Sequence, residues 1–172
     1  HETGFYEVEI HGTFARKVCK FGLLYSNDVA NDPNLVKPTD GWRLPTEADV
    51  DDLHSFTTKD GVNYAAGGKL KSTSSNYWTA PNMGAENLFS FDVRGAGAFA
   101  YGSFVNKYEY SFFRISCVNN TFLFSVSDEA SEIQPFVIYD QLYSIRFCRD
   151  ATPTELSYPN GEVVDDYIDG DN

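Results

Sequence analysis

A chain of 172 residues, 42% of them hydrophobic and 16% aromatic, has the length of one domain and enough apolar material for a self-sufficient core. Its net charge of −12 works against binding nucleic acid, whose phosphates need cations, and against an anionic membrane surface. No apolar run approaches the roughly 20 residues that span a bilayer, so membrane insertion is not expected.

Residues 5–10 (FYEVEI) alternate apolar and polar side chains and predict a strand with one solvated face. A second, short strand is expected at 21–25. Residues 27–40 hold Asn, Asp and two prolines and read as loop. In GWRLPTEADVDDL, residues 41–53, Pro45 disfavours helical geometry at Leu44, so 41–44 should run extended. Thr46 is then the N-cap of a helix near 46–56, with Glu47 and Asp49 placing negative charge in its first turn. Asp49 stands where a capping box has Glu or Gln, so the box is expected to be approximate. Val50, Leu53 and Phe56 form one apolar stripe. A second helical turn is expected at 65–70 (AAGGKL), ending on Gly67 and Gly68.

Residues 72–87 form a long polar connection carrying Tyr77, Trp78 and Pro81, of the kind that is either functional or packed by its own aromatics. From Leu88 the helical period disappears. Strands are expected at 88–93, 98–105, 110–116, 121–126, 136–139 and 143–148, many of them separated by turn residues. Within them RGAGAF, residues 94–99, reads as a turn or bulge where another backbone must approach closely. Helices early and an antiparallel sheet late predict an α+β fold. Residues 1–150 read as the domain. Residues 151–172, rich in acids and poor in apolar side chains, read as an acidic linker or the start of a following domain.

The opening residues HETG carry no basic and apolar lead, so no secretory leader is expected there. Three cysteines, Cys19, Cys117 and Cys148, are too few for a disulfide framework. His1, His11 and His54 stand at no zinc-ligand spacing from Cys or Glu, and Asp165, Asp166, Asp169 and Asp171 lack the spacing of a calcium-binding EF-hand loop. No nucleophile elbow, P-loop or dinucleotide fingerprint is present in the sequence. These absences predict a protein that is not an enzyme, with no metal and no cofactor.

GWRLPTEADVDDL resembles the G-W-R-L-P-T-E-x-E-W motif of the formylglycine-generating enzyme and C-type lectin superfamily. AAGGKLKSTSSNYWTAPNMGAENLFSF, residues 65–91, is similar to one branch, the Fibrobacter succinogenes major paralogous domain, as are RGAGAF and the closing YSIRFCRD, residues 143–150. The resemblance covers about residues 20–150. It implies a C-type lectin-like fold, two helices packed on a small twisted antiparallel sheet with the chain ends brought together. It also implies that Trp42 and Leu44 are core and that Arg43 is a structural tie to a carbonyl or carboxylate. Members often carry a Cys just before Gly-Trp, where this chain has Thr39 and Asp40, so Cys148 has lost that partner position. A Cys19–Cys148 bridge is the alternative. The enzymatic branch uses a cysteine pair or a histidine-carboxylate iron site late in the chain, and neither pattern is found in the sequence.

Copies of such domains in tandem look like those of phage tail fibres and bacterial surface adhesins, and GEVVDDYIDGDN resembles the opening of a further copy. The resemblance therefore implies a non-catalytic, receptor-binding module on a virion tail or cell surface. Its partner would be a bacterial or host surface protein or glycan, with a homotrimer in the parent protein. Arg114, Ser116, Asn119, Asn120, Phe122, Asp128, Tyr139, Gln141 and Tyr143, in a stretch with no helix signal, are the candidate contacts, expected to be exposed and close together. In some lectin-like proteins a retroelement rewrites adenine positions late in the gene, and residues 115–128 (ISCVNNTFLFSVSD) contain only residue types such rewriting yields. Two alternatives are a structural spacer within a fibre and a formylglycine-generating-type oxidase.

Overall fold

The computed structural model of the chain describes residues 2–11, 14–32, 41–59, 66–116, 122–127, 134–137 and 141–157. β1 (Glu2–His11) and β2 (Phe14–Tyr25) form an antiparallel hairpin, longer than the strands expected at 5–10 and 21–25. Its ladder runs from His11↔Phe14 to Glu2↔Tyr25 and shifts register between Gly4 and Tyr6. Where the composition of 27–40 reads as loop, a single turn, α1 (Asn27–Ala30), forms instead, because Ser26 caps it by accepting a hydrogen bond from the Val29 N–H. Residues 33–40 lie outside the described residues.

α2 (Glu47–Thr57) starts at the Thr46 cap expected of it. Its box is complete rather than approximate: Thr46 Oγ1 accepts from Asp49 N at 3.3 Å, and Asp49 Oδ2 accepts from Thr46 N at 2.7 Å. The shorter carboxylate suffices because Arg43 grips it from the other side. α3 (Ala66–Leu70) does not stop at Gly67 and Gly68. Both glycines are buried within the helix, and the Gly68 carbonyl accepts from the Glu86 N–H at 2.9 Å.

β3 (Ala98–Ala100) and β4 (Ser103–Val105) form a hairpin where one strand was expected at 98–105. Tyr101 and Gly102, both at positive φ, are its two-residue turn. β5 (Tyr110–Arg114), β6 (Phe122–Ser127) and β7 (Gln134–Val137) make a three-stranded antiparallel sheet in that order. Residues 88–93 form no strand. Ser90 and Asp92 adopt positive φ, which breaks an extended run, and Val93 alone makes a bridge, to Lys71. Residues 143–148 are likewise not one strand but a seam. Leu142 bridges Phe99, Tyr143 bridges Tyr25, Ser144 bridges Phe113 and Cys148 bridges Arg43. In the acidic tail a short 3-10 helix spans Glu155–Ser157, and residues 158–172 lie outside the described residues.

β5 is buried on both faces. Phe113 packs with Leu70, Trp78, Val93 and Ile115, against which Val50 and Leu53 of α2 lean. Phe112 faces the other way, toward Ala98 and Tyr143. A third cluster joins Phe21, Leu24 and Ala96. The connection 72–97 is packed by its own aromatics: Trp78 is 2% exposed, and its indole N–H donates to the Val93 carbonyl at 2.9 Å. The RGAGAF reading holds, since a Cβ on Gly97 would stand 2.2 Å from the Val105 carbonyl oxygen and one on Gly95 2.8 Å from that of Tyr77. Small helices on small antiparallel sheets make an α+β fold. Among the described residues no helix is long and apolar enough to cross a membrane.

Leu44 is buried, but Trp42 is only half-buried, a correction to the expectation that it is core. The Arg149 guanidinium lies over its ring, 5.2 Å from the centre. Arg43 is the tie expected of it. It forks onto Asp49 through both terminal nitrogens, and its backbone exchanges two 2.8 Å hydrogen bonds with Cys148. Cys148 is a free thiol, held 3.3 Å from Arg43 Nη1, so it makes no bridge to Cys19.

Candidate functional site

The nine candidate contacts fall into three groups. Asn119, Asn120, Asp128 and Tyr139 lie outside the described residues. Phe122 opens β6, its backbone paired with Val137. Arg114, Ser116, Gln141 and Tyr143 are placed in full.

Arg114 and Tyr143 are not exposed, a correction to the sequence reading. Arg114 retains 1% of its surface and Tyr143 3%. Arg114 ends β5 with its guanidinium turned inward. Nε donates to the Tyr25 carbonyl at 3.3 Å, Nη1 to Asn27 Oδ1 at 3.2 Å, and Nη2 to the Gln141 carbonyl at 2.6 Å. Its carbon also lies 5.3 Å from the centre of the Tyr143 ring. A buried guanidinium is tolerable only when its donors are satisfied in this way. Arg114 therefore ties the end of β2, the α1 turn and the start of the seam together.

Tyr143 stands edge-on to Phe112, and its hydroxyl donates to Gln141 Oε1 at 2.7 Å. Burial pushes the phenol up to about 12, against the pull of the Arg114 cation, and the neighbouring Tyr101 hydroxyl adds to the rise. Tyr143 is thus a fixed hydrogen-bond donor at neutral pH. Gln141, half-buried, is held at its carbonyl by Arg114 and at its side chain by Tyr143. Ser116 is exposed but belongs to another corner: its N–H donates to the Pro45 carbonyl at 2.6 Å, and it lines a hollow of about 220 Å³ with Asn31, Asp32 and Thr46. The structure thus joins Arg114, Gln141 and Tyr143 and sets Ser116 apart.

Tyr101 was missed in the sequence. It is 91% exposed at the tip of the β3–β4 turn. Its signal was there: AFA and SFV are separated by Tyr-Gly, a two-residue spacer ending in glycine, which is the mark of a tight hairpin. Reading 98–105 as one strand hid it. Stacked Tyr110 and Phe112, 5.5 Å apart, extend the same cluster from Tyr143 along β5.

The two buried lysines of the KLK run are structural. Lys69 Nζ donates to the Thr57 carbonyl at the C-terminal end of α2, where the helix dipole favours a cation. Lys71 lies 5.5 Å from the Trp78 ring centre. Among the described residues no group of three or more His, Cys, Asp or Glu is arranged to hold a metal ion. No protein-family model, no curated protein and no solved structure matches the chain.

Proposed function

We propose that the chain is a non-catalytic recognition module of C-type lectin-like fold. It acts in a phage tail fibre or a bacterial surface adhesin, on the virion tail or cell surface, and binds a surface protein or glycan. Tyr101 carries the reading: a large ring, 91% exposed, on the shortest kind of hairpin, its hydroxyl near enough to Tyr143 to raise that phenol. A bulky residue in a left-handed turn position costs about 1–2 kcal/mol relative to glycine. With almost no surface covered, packing returns little of that. In a contact surface the same ring supplies a large area at small entropy loss.

Tyr101 and Gln141 are the contacts of this face, and Ser116 stands at another corner; Asn119, Asn120, Phe122, Asp128 and Tyr139 are retained as contacts on the sequence reading alone. Arg114 and Tyr143 work behind them by fixing Gln141. The lectin-like part rests on the motifs and on what they do in this chain. Arg43 meets the closing segment, and Pro45–Thr46 meets Ser116. The retroelement reading of 115–128 rests on residue types alone, and trimeric assembly belongs to the parent fibre.

The test is to apply the labelled chain to a glycan array and to a panel of intact bacterial cells. Saturable binding to a subset of targets is expected. Uniform absence of binding on both would leave a structural spacer as the better reading.

A further inference from the structure

A cleft of about 410 Å³ opens elsewhere on the molecule, between the end of β2, the Asp92–Arg94 segment and the seam at 144–147. Its volume falls at the small end of the roughly 300–1,000 Å³ usual for small-molecule sites, which suits one ring rather than a chain of them. The wall mixes carbon surface, from Leu23, Ile145 and Phe147, with the polar residues Asp92, Arg94 and Ser144. We infer that this cleft binds an uncharged hydroxylated ring, a single hexopyranose unit.

Ser144 is the first pointer to a ligand. Tyr143 packs into the cluster with Phe112, so alternation along the seam turns Ser144 to the opposite side, where it lines the cleft. Its backbone is fixed, the carbonyl accepting from the Arg114 N–H at 3.0 Å. The residue is only 7% exposed, yet its hydroxyl has no hydrogen-bond partner among the described residues. A hydroxyl enclosed to that degree is ordinarily paired. A ligand hydroxyl entering the cleft pairs it.

The charges of the cleft are already matched within the protein, which selects a neutral ligand. Arg94 Nε and Nη2 converge on Asp92 Oδ2 at 2.8 and 2.7 Å, and Nη1 donates to the Lys20 carbonyl at 3.2 Å. Arg146 is committed as well, donating to the Phe91 carbonyl with its guanidinium over the Phe91 ring, and it has no part in the binding set. The Arg94–Asp92 pair keeps hydrogen-bonding capacity without net charge: a second hydrogen on each terminal nitrogen of Arg94, and Oδ1 of Asp92. An anion would be repelled by Asp92 and a cation by Arg94. Sugar hydroxyls donate and accept at once, and so suit both of these groups and Ser144. Half-buried Phe147 supplies carbon surface for the C–H face of the ring. The inference does not depend on the Tyr101 surface, and its readout is separate from cell or array binding.

The experiment is an NMR chemical-shift titration of the isotope-labelled chain with the methyl pyranosides of D-glucose, D-galactose and D-mannose. At least one of them should saturate a single site with a Kd of about 1 mM, the order expected for a ligand of this size. The shifted amides should lie in the cleft wall, at residues 22–23, 92–94 and 144–147. Ser144→Ala removes a hydroxyl with no partner in the protein, so it should weaken binding about fivefold with the melting temperature kept. Leu23→Trp fills the cleft, leaves Asp92, Arg94 and Ser144 in place, and should abolish binding in a folded chain. Methyl D-glucuronide should bind no more tightly than the glucoside. No saturation by about 100 mM of any of the pyranosides would overturn the inference. So would shifts confined to another face, undiminished binding by either variant, or tighter binding of the glucuronide, which would mark an anion site instead.

Discussion

At the scale of single residues, the Thr46–Asp49–Arg43 cluster makes the sharpest statements. Hydrogen bonds from Arg43 hold the Asp49 carboxyl well below the usual carboxylate range, and those from Thr46 add to this. A depressed folded value means that the stabilisation is complete above about pH 4 and is lost as pH falls through the acid range. Asp49→Asn should cost about 1–2 kcal/mol at neutral pH and should flatten the acid limb of a stability–pH curve measured by denaturant melts. An unchanged limb would show that the fork is not what lowers the carboxyl. Tyr143 behaves oppositely: its raised value contributes stability below about pH 10 that is lost as pH rises toward 12. Ser111 gives a contrary case. It is fully buried and its hydroxyl has no hydrogen-bond partner. Ser111→Ala should therefore leave the denaturant midpoint unchanged or raise stability by up to about 1 kcal/mol, and a clear loss would mean that the hydroxyl is bonded in solution.

At the scale of elements, what could be read in the chain was what is decided locally. The Thr46 cap and the close approach at RGAGAF each depend on a few adjacent residues, and both stand in the structure; of the extended run expected at 41–44, Arg43 bridges Cys148 while Gly41 turns at positive φ. Arg114 was misread as a surface contact because its partners at Tyr25, Asn27 and Gln141 lie 89, 87 and 27 residues away. No local pattern separates an exposed arginine from one that ties three segments together. The seam at 142–148 escaped for the same reason, since its bridges are single and non-local. Trp42, expected in the core, is half-buried, whereas Trp78 is buried. Trp78→Ala should cost about 3–5 kcal/mol, as large core truncations do, and Trp42→Ala only about 1–2 kcal/mol; equal losses in a chemical melt would contradict the packing described. Gly97→Ala should cost more than about 3 kcal/mol, since backbone atoms rather than flexible side chains stand in the way.

At the scale of the whole molecule, an α+β body carries the exposed Tyr101 turn that the proposed function uses for contact. Two clusters meet across β5 and a third joins the end of β2 to Ala96, the seam fastens β2, β3 and β5 together, and Arg114 and Tyr143 brace Gln141 from within. Tyr101 projects from this body on a turn for which Asn-Gly is the favoured sequence. Tyrosine there costs some local stability, which the proposed contact role would account for. Tyr101→Asn separates contact from stability in one substitution. The deciding measurement is target binding and thermal melting of Tyr101→Asn beside the unaltered chain, on a target identified with the array or cell panel. The account predicts binding weakened at least about tenfold with the melting temperature equal or slightly higher. Binding retained in full by a well-folded Tyr101→Asn would contradict it.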